Sequence, residues 1–144
     1  ILFSIEDKEF GIEAKMAREV ITCERITPVP TTPSIISGII QLREYIIPIV
    51  AINKKFCMSL ENDERSTVLI VEWQRERVGL LVDLVKEIID FPYISIEPLS
   101  PMLAFVGTNY LQGIGKLNDR IIFLINMDKL LAGEIESKLN YSDR

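Results

Sequence analysis

Residues that could perform acid, base or nucleophilic chemistry are few in this sequence. Histidine, the side chain best suited to proton transfer at neutral pH, is absent, so neither a Ser–His nor a Cys–His nucleophile can be built. The carboxylates Asp83, Glu87, Asp90 and Glu97 are scattered, and comparable carboxylates occur on almost any acidic surface. The sequence therefore predicts no catalytic residue.

Metal and phosphate sites are also unsupported. Cys23 and Cys57 are the only cysteines, and two cysteines without histidine cannot form a structural zinc site. Buried free thiols are favoured over a disulfide, in a reducing, cytoplasmic setting. The run Gly113-Ile114-Gly115-Lys116 lacks the spacer, the Ser/Thr and the helix of a phosphate loop, and we interpret its glycines as backbone geometry at a turn. No metal or cofactor is expected.

Composition indicates one ordinary domain with a true core. The chain has 144 residues, 48% of them hydrophobic and 26% charged, with a net charge of -5. Because no Lys/Arg-rich run stands out, nucleic acid is not an expected partner. The longest apolar stretches, such as Ile46–Ile52, are about a third of a bilayer span, so no membrane insertion is expected. The numbering begins inside a strand-like run, so a leader or another domain could precede it.

Short runs rich in β-branched residues alternate with polar, turn-prone breaks, which predicts strands joined in hairpins. The prolines of Thr27–Ser34 predict an extended loop. Leucines and isoleucines at helical intervals predict a C-terminal amphipathic helix over Met127–Asn140. The predicted strands are Ile1–Ile5, Glu9–Ile12, Val20–Ile26, Tyr45–Ile52, Thr67–Trp73, Arg77–Val85 and Arg120–Met127.

The chain also resembles itself. The segment Gly38–Ile47 aligns without a gap with Gly113–Ile122, and the glycine, the leucine and three isoleucines coincide. Earlier, Phe10-Gly11-Ile12 aligns with Val78-Gly79-Leu80, and Arg18–Ile21 aligns with Lys86–Ile89 at the same offset. Two blocks in the same order predict two similar β units, with a groove between them as a binding site.

Taken in chain order, these motifs resemble the CheW-like coupling proteins and domains of bacterial chemotaxis. The resemblance covers essentially the whole chain. The residues that carry it are the hairpin Phe3–Ile12, Glu19-Val20-Ile21, Ile26–Pro30, Gly38–Arg43, Ile47–Val50, Phe56, Val78–Asp83, Tyr110–Leu117 and Ile121–Leu131.

The resemblance implies a mainly β fold: two small five-stranded β-barrels packed side by side, with a C-terminal α-helix. Residues 1–144 would form a single CheW-like domain, with about 36–105 in one barrel and both chain ends in the other. Family members are implied to be non-catalytic adaptors that couple the cytoplasmic tip of a chemoreceptor to the regulatory domain of the histidine kinase CheA. This implies a cytoplasmic location, at receptor arrays on the inner face of the membrane.

The resemblance also implies a partner-binding site. Arg43 matches the receptor-linked arginine of the family, and Glu19 matches an acidic position near the same groove. Ala17, Val20 and Ile21 flank Glu19. The alternative to a binding role is that Arg43 only forms a surface ion pair with Glu44 or Glu19.

Three positions depart from the family pattern and place partner identity in doubt. Glu44 stands where the family usually has glycine, Ala51 where it has aspartate, and Asn53 where it often has arginine. If that glycine supplied a positive φ, Glu44 would force a different turn or bear strain.

Two other functions stay open. The chain could be the CheW-like regulatory domain of a larger CheA-type kinase, or of an adaptor fused to a receiver domain. Less favoured is an enzyme or small-ligand binder that uses the groove between the barrels through Lys, Asp or Tyr chemistry.

Overall fold

The computed structural model describes residues 1–23, 25–28, 36–56, 66–89, 95–97 and 110–132. These residues form strands for the most part, with one turn of 3-10 helix at Ala14–Met16 and two short α-helices, α1 at Ile52–Lys55 and α2 at 127–132. The strands are β1 Leu2–Ile5, β2 Lys8–Gly11, β3 Ala17–Cys23, β4 Ile36–Leu42, β5 Tyr45–Val50, β6 Ser66–Trp73, β7 Glu76–Val82, β8 Leu84–Glu87, β9 Ser95–Glu97, β10 Leu111–Leu117 and β11 Arg120–Ile125.

The strands form two sheets. The five-stranded sheet has the order β3-β6-β7-β5-β4, and the six-stranded sheet has the order β8-β1-β2-β11-β10-β9. An isolated bridge between Thr27 and Ile39 brings the segment after β3 beside β4, so the two edges of the five-stranded sheet meet there. The mainly β class with two β units is thereby confirmed, although one sheet has six strands. Among the described residues both strand orders are open, and a single bridge joins the edges of the five-stranded sheet.

The two sheets have the same plan, and each contains one hairpin from the other half of the chain. Strands β1–β5 form a first repeat and β6–β11 a second. The first hairpin, β1–β2, lies between β8 and β11 of the second repeat. The middle hairpin, β6–β7, lies between β3 and β5 of the first repeat. In both sheets the inner hairpin strand pairs parallel to its neighbour, which requires a long connection. Between β2 and β11 the chain passes through the five-stranded sheet, whereas between β5 and β7 it passes through α1 and β6.

The irregularities of the two repeats also coincide. A register shift between Ala17 and Glu19 of β3 has its counterpart between Val85 and Glu87 of β8. A Cβ on Gly38 would lie 2.3 Å from the Thr27 carbonyl oxygen, and one on Gly113 would lie 2.7 Å from that of Glu97. Each glycine therefore lets a neighbouring strand approach, which only a residue without a side chain allows. The Gly113 run belongs to strand β10, so its interpretation as a turn was wrong.

The larger core cluster joins the two sheets. Phe3 and Phe10 of the first hairpin pack with rings 5.9 Å apart, and Phe10 also contacts Phe56 and Phe123. Leu69 and Leu80 of the five-stranded sheet are fully buried in the same cluster. Because apolar area removed from water is the main favourable term in folding, this shared cluster binds the sheets together.

A smaller core cluster lies on the other face of the five-stranded sheet. Val68 and Ile70 of β6 belong to it, whereas Leu69 and Val71 of the same strand belong to the larger cluster. Burial on both faces explains why β6 is an uninterrupted apolar run instead of an alternating one.

Helix α2 packs on this framework. Met127, Leu130 and Leu131 are buried in the larger cluster, and Trp73 Nε1 donates a hydrogen bond of 2.6 Å to Asp128 Oδ1. The Asn126 side chain accepts a hydrogen bond from the Lys129 amide, an N-cap that starts the helix. The predicted strand Arg120–Met127 was therefore too long, since β11 ends at Ile125. The predicted helix continues to Asn140, and its residues after 132 lie outside the described part of the chain.

Other strand predictions were also too long, among them Val20–Ile26, since β3 ends at Cys23. Ile52, predicted as the end of a strand, begins α1 and is fully buried. The predicted strand Arg77–Val85 divides at Asp83 into β7 and β8, which lie in different sheets. The predicted loop Thr27–Ser34 is described only for Thr27 and Pro28. The assignment of residues 36–105 to one barrel stays a prediction; the five-stranded sheet draws its strands from residues 17–82.

Candidate partner-binding site

Arg43 and Glu19 meet on the surface of the five-stranded sheet. Arg43 begins the two-residue turn between β4 and β5, and Glu19 lies in β3 opposite Ile70. The Arg43 guanidinium donates from Nη1 to Glu19 Oε1 at 3.0 Å and from Nη2 to Oε2 at 3.2 Å. This geometry is the bidentate pairing that a planar guanidinium and a carboxylate prefer.

The pair is exposed and mutually stabilised. The side chains are 63% and 31% exposed for Arg43 and Glu19. The hydrogen bonds from Arg43 hold the pKa of Glu19 below its usual value, and those bonds raise the pKa of Arg43. Both groups therefore carry full charge at neutral pH.

Further charged and aromatic groups surround the pair. The Arg77 guanidinium lies over the Tyr45 ring, 4.1 Å from its centroid, and adds an electrostatic lowering of the Glu19 pKa. Arg18 forms an ion pair with Glu72 of the adjacent strand. Positive and negative side chains are therefore paired around this site, and the surface carries no large patch of one charge here.

The three apolar residues predicted to flank Glu19 lie in different environments. Ile21 packs against the smaller core cluster, and Ala17 packs against the larger one. Val20 is 49% exposed. Strand alternation places Glu19 and Ile21 on one face of β3 and Val20 on the other.

Glu44, which stands where the family usually has glycine, is exposed in the same turn. Arg43 has a φ of 56°, whereas Glu44 is not among the described non-glycine residues with positive φ. The left-handed backbone conformation of this turn therefore lies at Arg43 and not at Glu44. Of the other departures, Ala51 is buried in the smaller cluster and Asn53 is half-buried.

Two exposed apolar residues beside the pair were not predicted from the sequence. Tyr45 is 42% and Ile46 is 69% exposed at the start of β5. The run Tyr45–Val50 is too uniformly apolar to reveal which of its faces lies outside. Only the position of Tyr45 and Ile46 as the first two residues after the turn, at the end of a hairpin, could have indicated their exposure.

The scattered carboxylates are not brought together. Asp83 Oδ2 accepts a hydrogen bond from the Glu6 amide, Glu87 pairs with Arg120 at 2.7 Å, and Glu97 pairs with Lys116 at 2.9 Å. Asp90 and Cys57 lie outside the described residues, as does the side chain of Cys23. Within the part of the chain that the structure describes, no three metal-ligating side chains form a group.

An apolar cavity of about 290 Å³ lies elsewhere, along the six-stranded sheet. Its described lining comes from that sheet and the adjoining linker, and includes Leu2, Ile12, Leu124 and Ile125. Glu13 and Lys15 are charged lining residues, and they form an ion pair with each other. These two charged groups of the described lining are therefore paired with each other. No helix within the described ranges combines the length and the apolar character of a membrane span.

Comparison with known proteins agrees with this architecture. The chain matches the CheW-like domain family over residues 1–134. It is 29% identical to the chemotaxis protein CheW of Klebsiella aerogenes over 135 residues, covering 93% of this chain and 81% of that one. It is 27% identical to CheW of Rhizobium meliloti, covering 93% and 87% of the two chains.

A solved structure is similar as well. The scaffolding protein TtCheW from Thermoanaerobacter tengcongensis superposes with a TM-score of 0.74 at 34% sequence identity, covering 87% of this chain and 86% of that chain. Another relative, the chemotaxis protein CheV3 of Helicobacter pylori, is 24% identical, and its match covers 85% of this chain but only 40% of that protein. This chain therefore belongs to the CheW-like domain family and is a chemotaxis adaptor of that family.

Proposed function

We propose that this chain couples the cytoplasmic tip of a chemoreceptor to the regulatory domain of the histidine kinase CheA, and that it catalyses no reaction itself. It would act in the cytoplasm, at receptor arrays on the inner face of the membrane. The proposal rests on the family and on a sequence without histidine, whose described carboxylates are separately paired.

The observation that carries the proposal is the exposed Arg43–Glu19 pair beside exposed apolar side chains. An exposed ion pair adds little to the stability of a fold, so stability does not account for its bidentate geometry. Guanidinium has five N–H donors, and Glu19 accepts from two of them. The remaining donors can reach a partner while Glu19 holds the side chain in place, which reduces the entropy lost on binding.

Tyr45 and Ile46 supply exposed apolar area next to the turn that carries Arg43, and Val20 adds exposed apolar area on the other face of the edge strand β3. An arginine surrounded by aromatic and aliphatic side chains is a common energetic centre of protein interfaces. We therefore assign receptor binding to Arg43, Glu19 and the exposed Val20. Ala17 and Ile21 hold β3 against the larger and the smaller core cluster, and Glu44 adds a negative charge at the rim.

The test is the affinity of an isolated chemoreceptor-tip fragment for variants of the chain. Arg43→Ala is expected to weaken binding about tenfold or more, since centres of this kind cost more than about 1.4 kcal/mol when truncated. Arg43→Lys should weaken binding almost as much, because lysine keeps the positive charge but lacks the planar, bidentate donor geometry of the guanidinium.

Lys8→Ala is the matched control, because Lys8 is an exposed cation of the other sheet that pairs only with Asp7 among the described residues. Thermal melts of all three variants should equal that of the parent. Unchanged affinity in Arg43→Ala, with an unchanged melt, would refute the assignment.

A second candidate is the CheW-like domain of a larger protein. The match to CheV3, of which this chain covers 40%, favours it, since that relative is longer than the matched domain. A receiver or ATP-binding domain encoded in the same reading frame would establish this candidate, and a reading frame of about this length would exclude it.

A further inference from the structure

The first hairpin, β1–β2, pairs in its sheet only with strands of the second repeat. We call the gap between β8 and β11 the hairpin slot. Main-chain pairing holds the hairpin on both sides, since Phe3 and Ser4 pair with Val85 and Leu84, and Phe10 pairs with Phe123. The Asp83 amide donates to the Ser4 carbonyl at 2.9 Å, which adds a contact at the end of the slot.

Side chains make the slot specific for this hairpin. Phe3, Ile5 and Phe10 are completely or almost completely buried. Glu9, whose side chain is only 13% exposed, accepts hydrogen bonds from Arg120 Nε at 3.1 and 3.2 Å and from Lys86 at 3.4 Å. The slot therefore recognises an extended main chain, three large apolar side chains and one carboxylate.

A short, largely exposed linker connects the first hairpin to β3. Glu13, Ala14 and Lys15 of the linker to β3 are exposed. A hydrogen bond from the Met16 amide to the Glu13 carbonyl closes its 3-10 turn. Extending this turn changes the direction of the linker without breaking any strand pairing of the five-stranded sheet. The middle hairpin differs, because Asp83 alone separates β7 from β8.

We propose that the hairpin slot accepts the first hairpin of a second copy of this chain, giving a closed dimer in which two copies exchange residues 1–12. The first hairpin already completes the six-stranded sheet, to which its own repeat contributes no other strand. The exchanged dimer contains every contact of the monomer and changes only the linker conformation, so concentration decides the balance. Exchange is slow, because Phe3 and Phe10 must leave the core first.

The experiment refolds a mixture of two differently tagged full-length copies that carry a reporter pair of cysteines. Ser4→Cys with Leu84→Cys joins β1 to β8, where these residues pair directly. Thr22→Cys with Thr67→Cys is the matched control, since it joins β3 to β6. Both versions also carry Cys23→Ser and Cys57→Ser, so that each disulfide has one origin. After mild oxidation, denaturing gels without reductant report which chain supplies the hairpin.

The expected result is a covalent dimer with both tags for the Ser4/Leu84 pair, rising with the protein concentration during refolding, and only monomer for the Thr22/Thr67 pair. Absence of a covalent dimer for the Ser4/Leu84 pair overturns the proposal. Dimers with both pairs also overturn it, because another segment would then be exchanging.

A second measurement needs no substitution. The parent chain, refolded at increasing concentration, should give a dimer by light scattering with the circular dichroism of the monomer. A parent that stays monomeric at every concentration overturns the proposal. Neither experiment involves a receptor or kinase, so both outcomes are independent of the adaptor function.

Discussion

In the five-stranded sheet Glu19 pairs with an arginine of a turn, whereas at the equivalent position of the six-stranded sheet Glu87 pairs with Arg120, an arginine of a strand. Arg43 is 63% exposed and bonds one carboxylate, while Arg120 is 35% exposed and bonds both Glu87 and Glu9. The same acidic position thus forms a single surface pair in one sheet, whereas in the other it belongs to a clamp in which Arg120 lies between Glu87 and the largely buried Glu9. The two repeats therefore share their strand positions, but a few different residues decide whether an arginine keeps free N–H donors for a binding partner.

The largest expected difference between the sheets concerns their inner hairpins. Phe10 and Val78 occupy equivalent positions, but Phe10 contacts three aromatic rings and joins the two sheets. Phe10→Ala should lower the free energy of unfolding by about 3–5 kcal/mol, and Val78→Ala by clearly less. Urea unfolding measures both values. An equal loss in the two variants would show that the larger core cluster is not centred on the first hairpin.

The next effect concerns the glycines at the equivalent bulges. Gly38→Ala and Gly113→Ala should each destabilise the protein by about 1–3 kcal/mol, because the new Cβ would meet a carbonyl oxygen of the main chain. The effect should be larger at Gly38, where the approach is 2.3 Å against 2.7 Å. Thermal unfolding of the two variants tests this order, and a neutral Gly38→Ala would contradict the close approach.

The two ion pairs should also respond differently to acid. Hydrogen bonds from Arg120 hold the pKa of Glu9 below its usual value. The stability that Glu9 contributes is therefore present above the pKa of an unfolded glutamate and is lost as the pH falls through its lower folded pKa.

Arg120→Ala should lower the melting temperature at neutral pH and reduce its fall between about pH 6 and pH 3. Arg43→Ala should leave both nearly unchanged, because its partner is screened by solvent. Melting curves across this pH range distinguish the two pairs. Equal responses would remove the contrast between clamp and surface pair.

The smallest effect concerns the turns. Gln74 and Arg75 in the turn between β6 and β7 both have positive φ, as does Asn118 in the turn between β10 and β11. Arg75→Gly should stabilise the protein by about 0.5–1 kcal/mol, since arginine bears a steric cost there that glycine does not. Asn118→Gly should be close to neutral, because asparagine tolerates this conformation. Chemical denaturation of both variants provides the measurement, and a destabilised Arg75→Gly would contradict it.

Local patterns predicted the strands well where packing is simple. The runs that became β6, β7 and β11 are rich in β-branched and aliphatic residues, and the polar pairs between strands became two-residue turns. The ends of strands were less predictable. The predicted strands continue past Val50 and Val82, where the chain leaves a sheet, because apolar residues follow in both places.

The sequence by itself determined that the chain is mainly β, that its halves repeat, and that Arg43 and Glu19 are residues of interest through their resemblance to a family. These features depend on residue type and spacing alone. Only the tertiary structure decided that the first hairpins are exchanged between the repeats, that Ile21 faces a core while Val20 faces solvent, and that Arg120 is clamped while Arg43 is not. Such outcomes depend on which distant strands pair, and pairing is set by the free energy of the whole core instead of by any one segment.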